Sequence, residues 1–301
     1  MKREGEAFDV IISSYGPPAP LIVGSYAKKI FQSKWIVDYR DLWTESHICF
    51  GLWPFTLFEK WLENKIIPKA TALTTVSEGL QEALQEKFPH LSTTVVSNGF
   101  DQELMDQALP DYFSKRPSKF RIVYTGSIFS FLQDPAPLYQ ALLELEQEIP
   151  DLEGRLEVLL YGRIPQDRLQ QIKSMDVSHL VSFQGYVSQE ESRSIQQSAD
   201  LLLFILGPNP QMKGVMTGKL FDYLYARPPI LAIGSPEDYC PNRLIAETRS
   251  GFNCGTDIQK IKKVIQLGLD KKYQLDKDRN TIMSYSRKEQ AHRLIQLLQK
   301  A

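Results

Sequence analysis

The sequence predicts an α/β protein built from two Rossmann-like, doubly wound parallel-sheet domains, and three observations lead there. Short apolar runs rich in β-branched residues alternate with longer amphipathic runs along the chain. The β runs are continuously apolar rather than alternating, the pattern of strands covered by helices on both faces. The alternation breaks once, at 110–119 (PDYFSKRPSK), where two prolines sit among polar residues, and then restarts. Length agrees, because 301 residues is more than one core ordinarily organises: cores stop growing at roughly 250–300 residues. The expected division is a first domain over 1–112 and a second over 119–301, with the last helix packing back on the first.

In the first domain, 8–13 (FDVIIS) reads as a buried strand and 21–31 as the helix after it. Residues 35–38 (WIVD) form the next strand, 53–68 a long apolar helix, and 72–76 (ALTTV) a third strand. Ser77 then caps a helix to 87, and 93–96 (TTVV) is the fourth strand. In the second domain, strands fall at 121–124, 156–161, 181–184, 201–205 and 229–233, with a short one near 251–254. Helices fall near 135–147, 166–174, 189–197, 219–226 and 258–267, and a last amphipathic helix spans 286–300. Sheets of this kind bind ligands at the carboxyl ends of their strands, at the topological switch point. With two in tandem, the expected site is the cleft between them.

Composition removes several functions. The 35 basic and 36 acidic residues leave a formal charge of -1, without the basic surplus of a nucleic-acid binder, so no nucleic-acid partner is expected. Three cysteines (Cys49, Cys240, Cys254) form no CxxC pair, and four histidines (His47, His90, His179, His292) are scattered. That pattern supplies neither a disulfide frame nor metal-ligand spacing, so a reducing cytoplasmic setting and no metal are expected. No run reaches the roughly 18 apolar residues of a spanning helix, and the charged start MKREGEA lacks a signal peptide's apolar centre. Hydride transfer is disfavoured because no G-x-G-x-x-G follows a predicted strand.

The most informative stretch is 212–233 (MKGVMTGKLFDYLYARPPILAI). Its Gly214-x-x-x-Gly218-Lys219 is one residue short of a phosphate loop, and Leu220 stands where Ser or Thr is needed, which rejects an ATPase P-loop. What remains is a flexible, glycine-containing approach to a helix N-terminus with Thr217 as N-cap. Such an end offers free backbone N–H groups and a positive dipole to an anion, and Lys213 and Lys219 add charge to the same corner. Asp222 lies about one turn from Lys219, since residues three apart share a helix face. It reads either as an acceptor for a sugar diol or as half of a solvated Lys219–Asp222 pair, and spacing alone leaves both open.

The order GKLFDYL (218–224) and then PPILA (228–232) resembles the donor-site helix and strand of glycosyltransferase family 4, whose GT-B architecture sets two Rossmann-like domains facing across a cleft. VDYRDLW (37–43), TTVS (74–77), SNGFD (97–101), VYTGS (123–127), QGYV (184–187) and SADL (198–201) fall in the family's order, so the likeness covers nearly the whole chain. The resemblance implies a retaining, metal-independent transferase of the hexosyl type. It would move a sugar from a nucleoside-diphosphate sugar, a donor substrate rather than a cofactor, to a saccharide or lipid-linked acceptor in cell-envelope or exopolysaccharide assembly. It also implies roles. Asp222 would hold the donor ribose, and backbone N–H groups of Val215, Met216, Thr217 and Gly218 would take the diphosphate, helped by Lys213, Lys219 or Arg163. Gly126 and Ser127 would face the leaving group, while Gly185, Tyr186 and Val187 would read the base. Arg40 and Asp41, at the carboxyl end of the 35–38 strand, are the catalytic candidates of the first domain; an internal ion pair bracing their loop is the competing reading.

Two departures accompany the likeness. Many family members carry a glutamate where Gly214 stands and another at the position of Asp222. Members also have a further strand–helix–strand region with a Gly-rich loop ahead of the segment matching 8–13. The expectation is therefore a truncated first domain or half of a split enzyme, with a separate N-terminal fragment as partner and an exposed sheet edge.

A second signal lies at 42–67, where Trp43, Phe50, Trp53, Phe55, Phe58 and Trp61 crowd together with Lys60 and Lys65. Aromatics with basic residues suit a membrane surface or a lipid-linked acceptor, and at helical spacing they equally suit a core. On the first reading the protein sits peripherally on the inner face of the plasma membrane. Two alternatives to a transferase stand beside it. One is a non-catalytic nucleotide-sugar-binding or partner subunit. The other is a sugar-nucleotide epimerase, disfavoured by the few carboxylates and histidines in the cleft segments.

Overall fold

The computed structural model describes residues 7–45, 53–129 and 132–300, so the expectations placed on His47, Cys49 and Phe50 lie outside the described residues. Two compact units emerge: one holds the chain up to Asn98 with Lys213–Met216 and the chain from Arg287, the other Gly99–Met212 with Thr217–Ser286.

The first unit carries β1 (Val10–Ser14), α1 (Ala19–Phe31), β2 (Lys34–Tyr39), α2 (Phe55–Ile66), β3 (Ala72–Thr75), α3 (Glu78–Lys87) and β4 (Thr93–Val95). The strands pair in parallel in the order β1-β2-β3-β4. Gly24 lets α1 lie close on the sheet, because a Cβ there would come within 2.5 Å of the Trp35 indole nitrogen, which donates to Ser13 Oγ at 2.7 Å. Trp35, Val37, Tyr39, Trp43, Ile67 and Leu73 build the core. Beside it Glu63 is buried as a fully satisfied carboxylate, accepting from Tyr39 (2.9 Å), Thr44 (2.6 Å) and Lys87 (2.7 Å). An ion pair taken out of water needs this saturation to offset its desolvation. The network also fixes the chain just beyond Arg40 and Asp41.

The second unit holds α4 (Gln102–Met105), β5 (Phe120–Thr125), α5 (Ala136–Glu148), α6 (Leu152–Arg155), β6 (Leu156–Tyr161), α7 (Gln166–Ser174), β7 (Val181–Gly185), α8 (Gln189–Ser198) and β8 (Leu201–Ile205). It continues with α9 (Gly218–Tyr225), β9 (Ile230–Ile233), α10 (Cys240–Glu247), β10 (Gly251–Gly255), α11 (Ile258–Leu269) and α12 (Arg279–Met283); α13 (Arg287–Lys300) belongs to the first unit. Six parallel strands run in the order β10-β9-β8-β5-β6-β7. The order reverses between β5 and β8, which therefore mark the switch point. Leucines and isoleucines of β5, β6 and β8, 0–1% exposed, form the core with Leu138, Leu142, Ile261 and Ile265 from α5 and α11. Both sheets are parallel and their strands alternate with helices, as the sequence predicts, and the six-stranded one shows the reversal of strand order that marks a doubly wound sheet.

Two features differ from the sequence reading. The units divide at Asn98–Gly99, ahead of the proline-rich 110–119 stretch. The reason is a set of bonds from α8, where Arg193 donates to Leu104 O (2.9 Å), Gln197 to Met105 O (3.2 Å) and Ser194 to Pro110 O (2.7 Å). They hold the intervening chain on the second unit. The aromatic cluster also splits between its two readings: Trp43 is 1% exposed in the core, whereas Trp53 is 79% exposed and Phe55, Phe58 and Trp61 stand on the open face of α2.

Candidate functional site

Glycines end three neighbouring strands of the second sheet at their carboxyl ends. Gly126 follows β5, Gly162 follows β6 and Gly185 closes β7, with φ of +131°, +122° and +82°. Those values lie where L side chains are disfavoured. The three are stitched in a row: Gly126 N–H donates to Tyr161 O (2.9 Å), and Gly162 N–H to Gly185 O (2.8 Å). Gly162 has a second reason to lack a side chain, since a Cβ would come 2.1 Å from Gly126 O. The result is a low, bare rim on which Gly126, Arg163 and Tyr186 are exposed.

On the other side of the switch point, β8 leads to α9. Thr217 takes the N-cap position with extended backbone, yet its side chain caps nothing, and the buried Oγ1 has no hydrogen-bond partner. An unpartnered buried hydroxyl costs free energy until something bonds to it. Within the first turn, Lys219 Nζ donates to Tyr124 Oη at 2.5 Å and lies 3.9 Å over the Tyr124 ring. It also neighbours Gly126, whose Cβ would sit 3.3 Å from Nζ. Tyr124 in turn donates to Ser127 O at 2.7 Å. Among the described residues no carboxylate forms an ion pair with Lys219, and burial pushes its pKa down to about 7. This corrects the solvated Lys219–Asp222 pair: the cation is aimed at the sheet, not at the next turn. Asp222 is half-buried on α9, one turn further along.

The helix itself is held at both ends. Tyr223 Oη accepts from Thr125 N–H (2.9 Å), and Thr125 Oγ1 accepts from Gln196 (2.8 Å), tying α9 to the end of β5. At the far end Lys277 donates to Ala226 O (2.6 Å) and Pro228 O (2.9 Å), with Leu224 O and Tyr223 O just beyond. These bonds satisfy carbonyls that the end of a helix leaves open. Tyr124, Tyr223 and Lys277 were missed in the sequence; the first two are strand and helix positions that read simply as core.

Thus Gly126, Ser127, Arg163, Gly185, Tyr186, Val187, Thr217, Gly218, Lys219 and Asp222 all belong to the second unit, at strand ends or on α9. Lys213, Val215 and Met216 belong to the first. The approach to α9 is tied down by hydrogen bonds there. Gly214 O accepts from Ser77 Oγ (2.6 Å), Met216 O accepts from Asn98 (2.8 Å), and a Cβ on Gly214 would come 2.9 Å from Leu80 N. Glycine at 214 is thereby explained by close packing on the start of α3. In the same unit Arg40 is braced by Asn98 Oδ1, by Val96 O at 3.3 Å and by Asp38 at 3.8 Å. Asp38 also accepts from Ser14 (3.0 Å) and Thr74 (2.8 Å), gathering the carboxyl ends of β1, β2 and β3. Among the described residues no group of three His, Cys, Asp or Glu side chains is arranged to hold a metal.

No protein-family model and no curated protein sequence matches the chain. Its backbone is similar to that of Anabaena Alr3699/HepE in complex with UDP, with a TM-score of 0.73 and 17% identity over 98% of this chain and 79% of that one. It is also similar to sucrose-phosphate synthase from Thermosynechococcus elongatus, with a TM-score of 0.66 and 14% identity over 97% of this chain and 73% of that one. A UDP-forming α,α-trehalose-phosphate synthase from Burkholderia xenovorans, in complex with glucose-6-phosphate, gives a TM-score of 0.67 and 10% identity over 96% and 74%. At such identities the likeness shows the fold, and that fold is the two-domain GT-B class.

Proposed function

We propose that the chain is a glycosyltransferase that takes its sugar from a nucleoside-diphosphate donor. The observation that carries this reading is the pair Lys219 and Thr217, a half-buried lysine without a counter-ion beside an unpartnered hydroxyl at a helix N-terminus. A diphosphate supplies what both lack, and it does so at the switch point where such sheets take ligands. The fold neighbours support the choice of anion, since one of them is described with UDP and again with UDP-glucose.

In this reading Lys219 and the first-turn amides of α9 stand where negative charge grows on the departing diphosphate. Preorganised donors in a site of low dielectric lower the barrier most effectively there. Asp222 accepts the ribose hydroxyls, the bare rim at Gly126 and Ser127 lets the leaving group approach the backbone, and the 185–187 turn meets the base. Arg163 adds charge from the end of β6. Transfer with retention, no required metal and a hexosyl donor are part of the proposal, as are Arg40 and Asp41 on the acceptor side. The acceptor is a saccharide or lipid-linked saccharide of the cell envelope, and the protein works peripherally at the inner face of the plasma membrane.

Calorimetric titration with UDP, GDP and ADP, paired with an assay for nucleotide release from the corresponding sugar nucleotides, tests this. One nucleoside diphosphate should bind, and Asp222→Ala should weaken it about 10–100-fold, as loss of bonds to a charged acceptor does. Release of nucleotide establishes turnover. Binding without release leaves a non-catalytic sugar-nucleotide-binding subunit, and no binding refutes the site.

A further inference from the structure

We infer that a lysine-lined groove on the first unit docks the anionic phosphate headgroups of a lipid bilayer. The inference deepens the peripheral membrane placement proposed above and does not depend on the transfer reaction. The groove, about 930 Å³, lies between α1, α2 and the turn at Ile67–Lys69. Lys28, Lys29, Lys65 and Lys69 line it, and among the described residues no carboxylate does. Two of the lysines have partners in its walls: Lys28 Nζ donates to Lys69 O, and Lys65 Nζ lies 4.3 Å over the Trp61 ring.

The helices that form the groove are unusual in how they distribute charge. α1 contains no acidic residue at all. The two acids of α2, Glu59 and Glu63, lie on its inward side: Glu63 is buried and Glu59 half-buried. The outward faces carry large apolar groups instead. Val23, Tyr26 and Ile30 follow one another at helical spacing along α1, with Tyr26 68% exposed, and Leu57, Phe58 and Trp61 do the same along α2. The surface is therefore cationic and apolar together, with no anion on it among the described residues.

That combination selects one occupant. The protein's formal charge of -1 gives no general attraction to anions, so any attraction must be local to this quartet of lysines. A soluble anion has no use for the exposed aromatic side chains. A second copy across a two-fold axis would set lysines against lysines, since such an interface joins the same patch to itself. The headgroup layer of an anionic bilayer offers both halves, with phosphates for the lysines and acyl boundary for the apolar side chains.

Co-sedimentation of the full chain with two kinds of vesicle tests the assignment, one of phosphatidylcholine alone and one of an equal mixture with phosphatidylglycerol. The mixed vesicles should bind much more tightly. The triple variant Lys29→Gln, Lys65→Gln, Lys69→Gln should lose about 100-fold of that affinity, at roughly fivefold per lysine. A control with the same change of charge, Lys115→Gln, Lys173→Gln, Lys263→Gln on exposed lysines of the second unit, should bind as the parent does. All these lysines are exposed, and unchanged melting of each variant verifies its fold. Three results overturn the proposal: equal binding to both vesicles, an equal loss in the control, or full displacement by millimolar glycerol phosphate, which would make the groove a soluble-anion site. Nucleotide titration is read separately, so a failure here leaves the donor-site proposal standing.

Discussion

Lys219 concentrates the electrostatics of the candidate site in a single side chain. Burial holds its ammonium near pH 7 rather than 10.5. Because that folded-state value is depressed, the unfolded chain binds more protons between about pH 7 and 10.5. The ligand-free protein should accordingly gain stability as pH rises through that window. Binding of an anion works in the opposite sense, since it favours the charged lysine. The dissociation constant of a nucleoside diphosphate should then rise about tenfold per pH unit above 7, the slope for uptake of one proton. Titration of Lys219→Met should show the slope gone and affinity at pH 7 reduced by roughly 10–150-fold, the loss of one charge-assisted bond. A slope that survives the substitution would assign the titration to another group.

At the scale of elements, α9 is a short helix clamped at both ends, and its precision depends on residues far away in sequence. Lys277→Met would strip its carbonyls of their donor, at a cost of about 1–3 kcal/mol. It should lower the second unit's melting temperature by roughly 2–4 °C for each kcal/mol lost. If Lys277→Arg restores the melting temperature, capping rather than side-chain bulk is the cause. Sequence reasoning reached α9 itself because glycine, lysine and an apolar stripe mark its start and its buried face. It did not reach Lys277, nor Tyr124 under Lys219, because those bonds join residues 49 and more positions apart and leave no local periodicity. The strands were legible for the opposite reason, each being a self-contained apolar run such as 201–205. The short helices α4, α6 and α12 were not, having too few turns to establish a stripe, and α10, as long as α9, opens on Cys-Pro without the glycine and lysine that mark the start of α9. The unit boundary differs from the expected one because proline content marks an irregular chain, whereas Arg193 and Ser194 tie that chain to the second unit.

For the molecule as a whole, the division into two units gives each its own reporter. All four tryptophans, Trp35, Trp43, Trp53 and Trp61, lie in the first unit, so tryptophan fluorescence follows its unfolding alone. A chain ended after Ser286 loses α13 and the acceptor that Gln290 offers to Ser97 N–H at 2.9 Å. The fluorescence transition should drop by several degrees, while calorimetric nucleotide binding to the second unit persists. Equal damage to both would show that the units do not fold independently.

The place of α13 has a consequence for biosynthesis. The helix α13, which belongs to the first unit, follows every segment of the second in the chain, so on the ribosome the first unit gains this helix only after the second has been made. At about 5–20 residues per second, the sheet ending at β4 waits roughly 10–40 s for that helix. During this interval the second unit emerges and can fold with every one of its segments already present. The second unit can thus mature ahead of the first, and nascent chains stalled between Ser286 and Arg287 should carry a folded donor-side sheet beside a first sheet that still lacks α13.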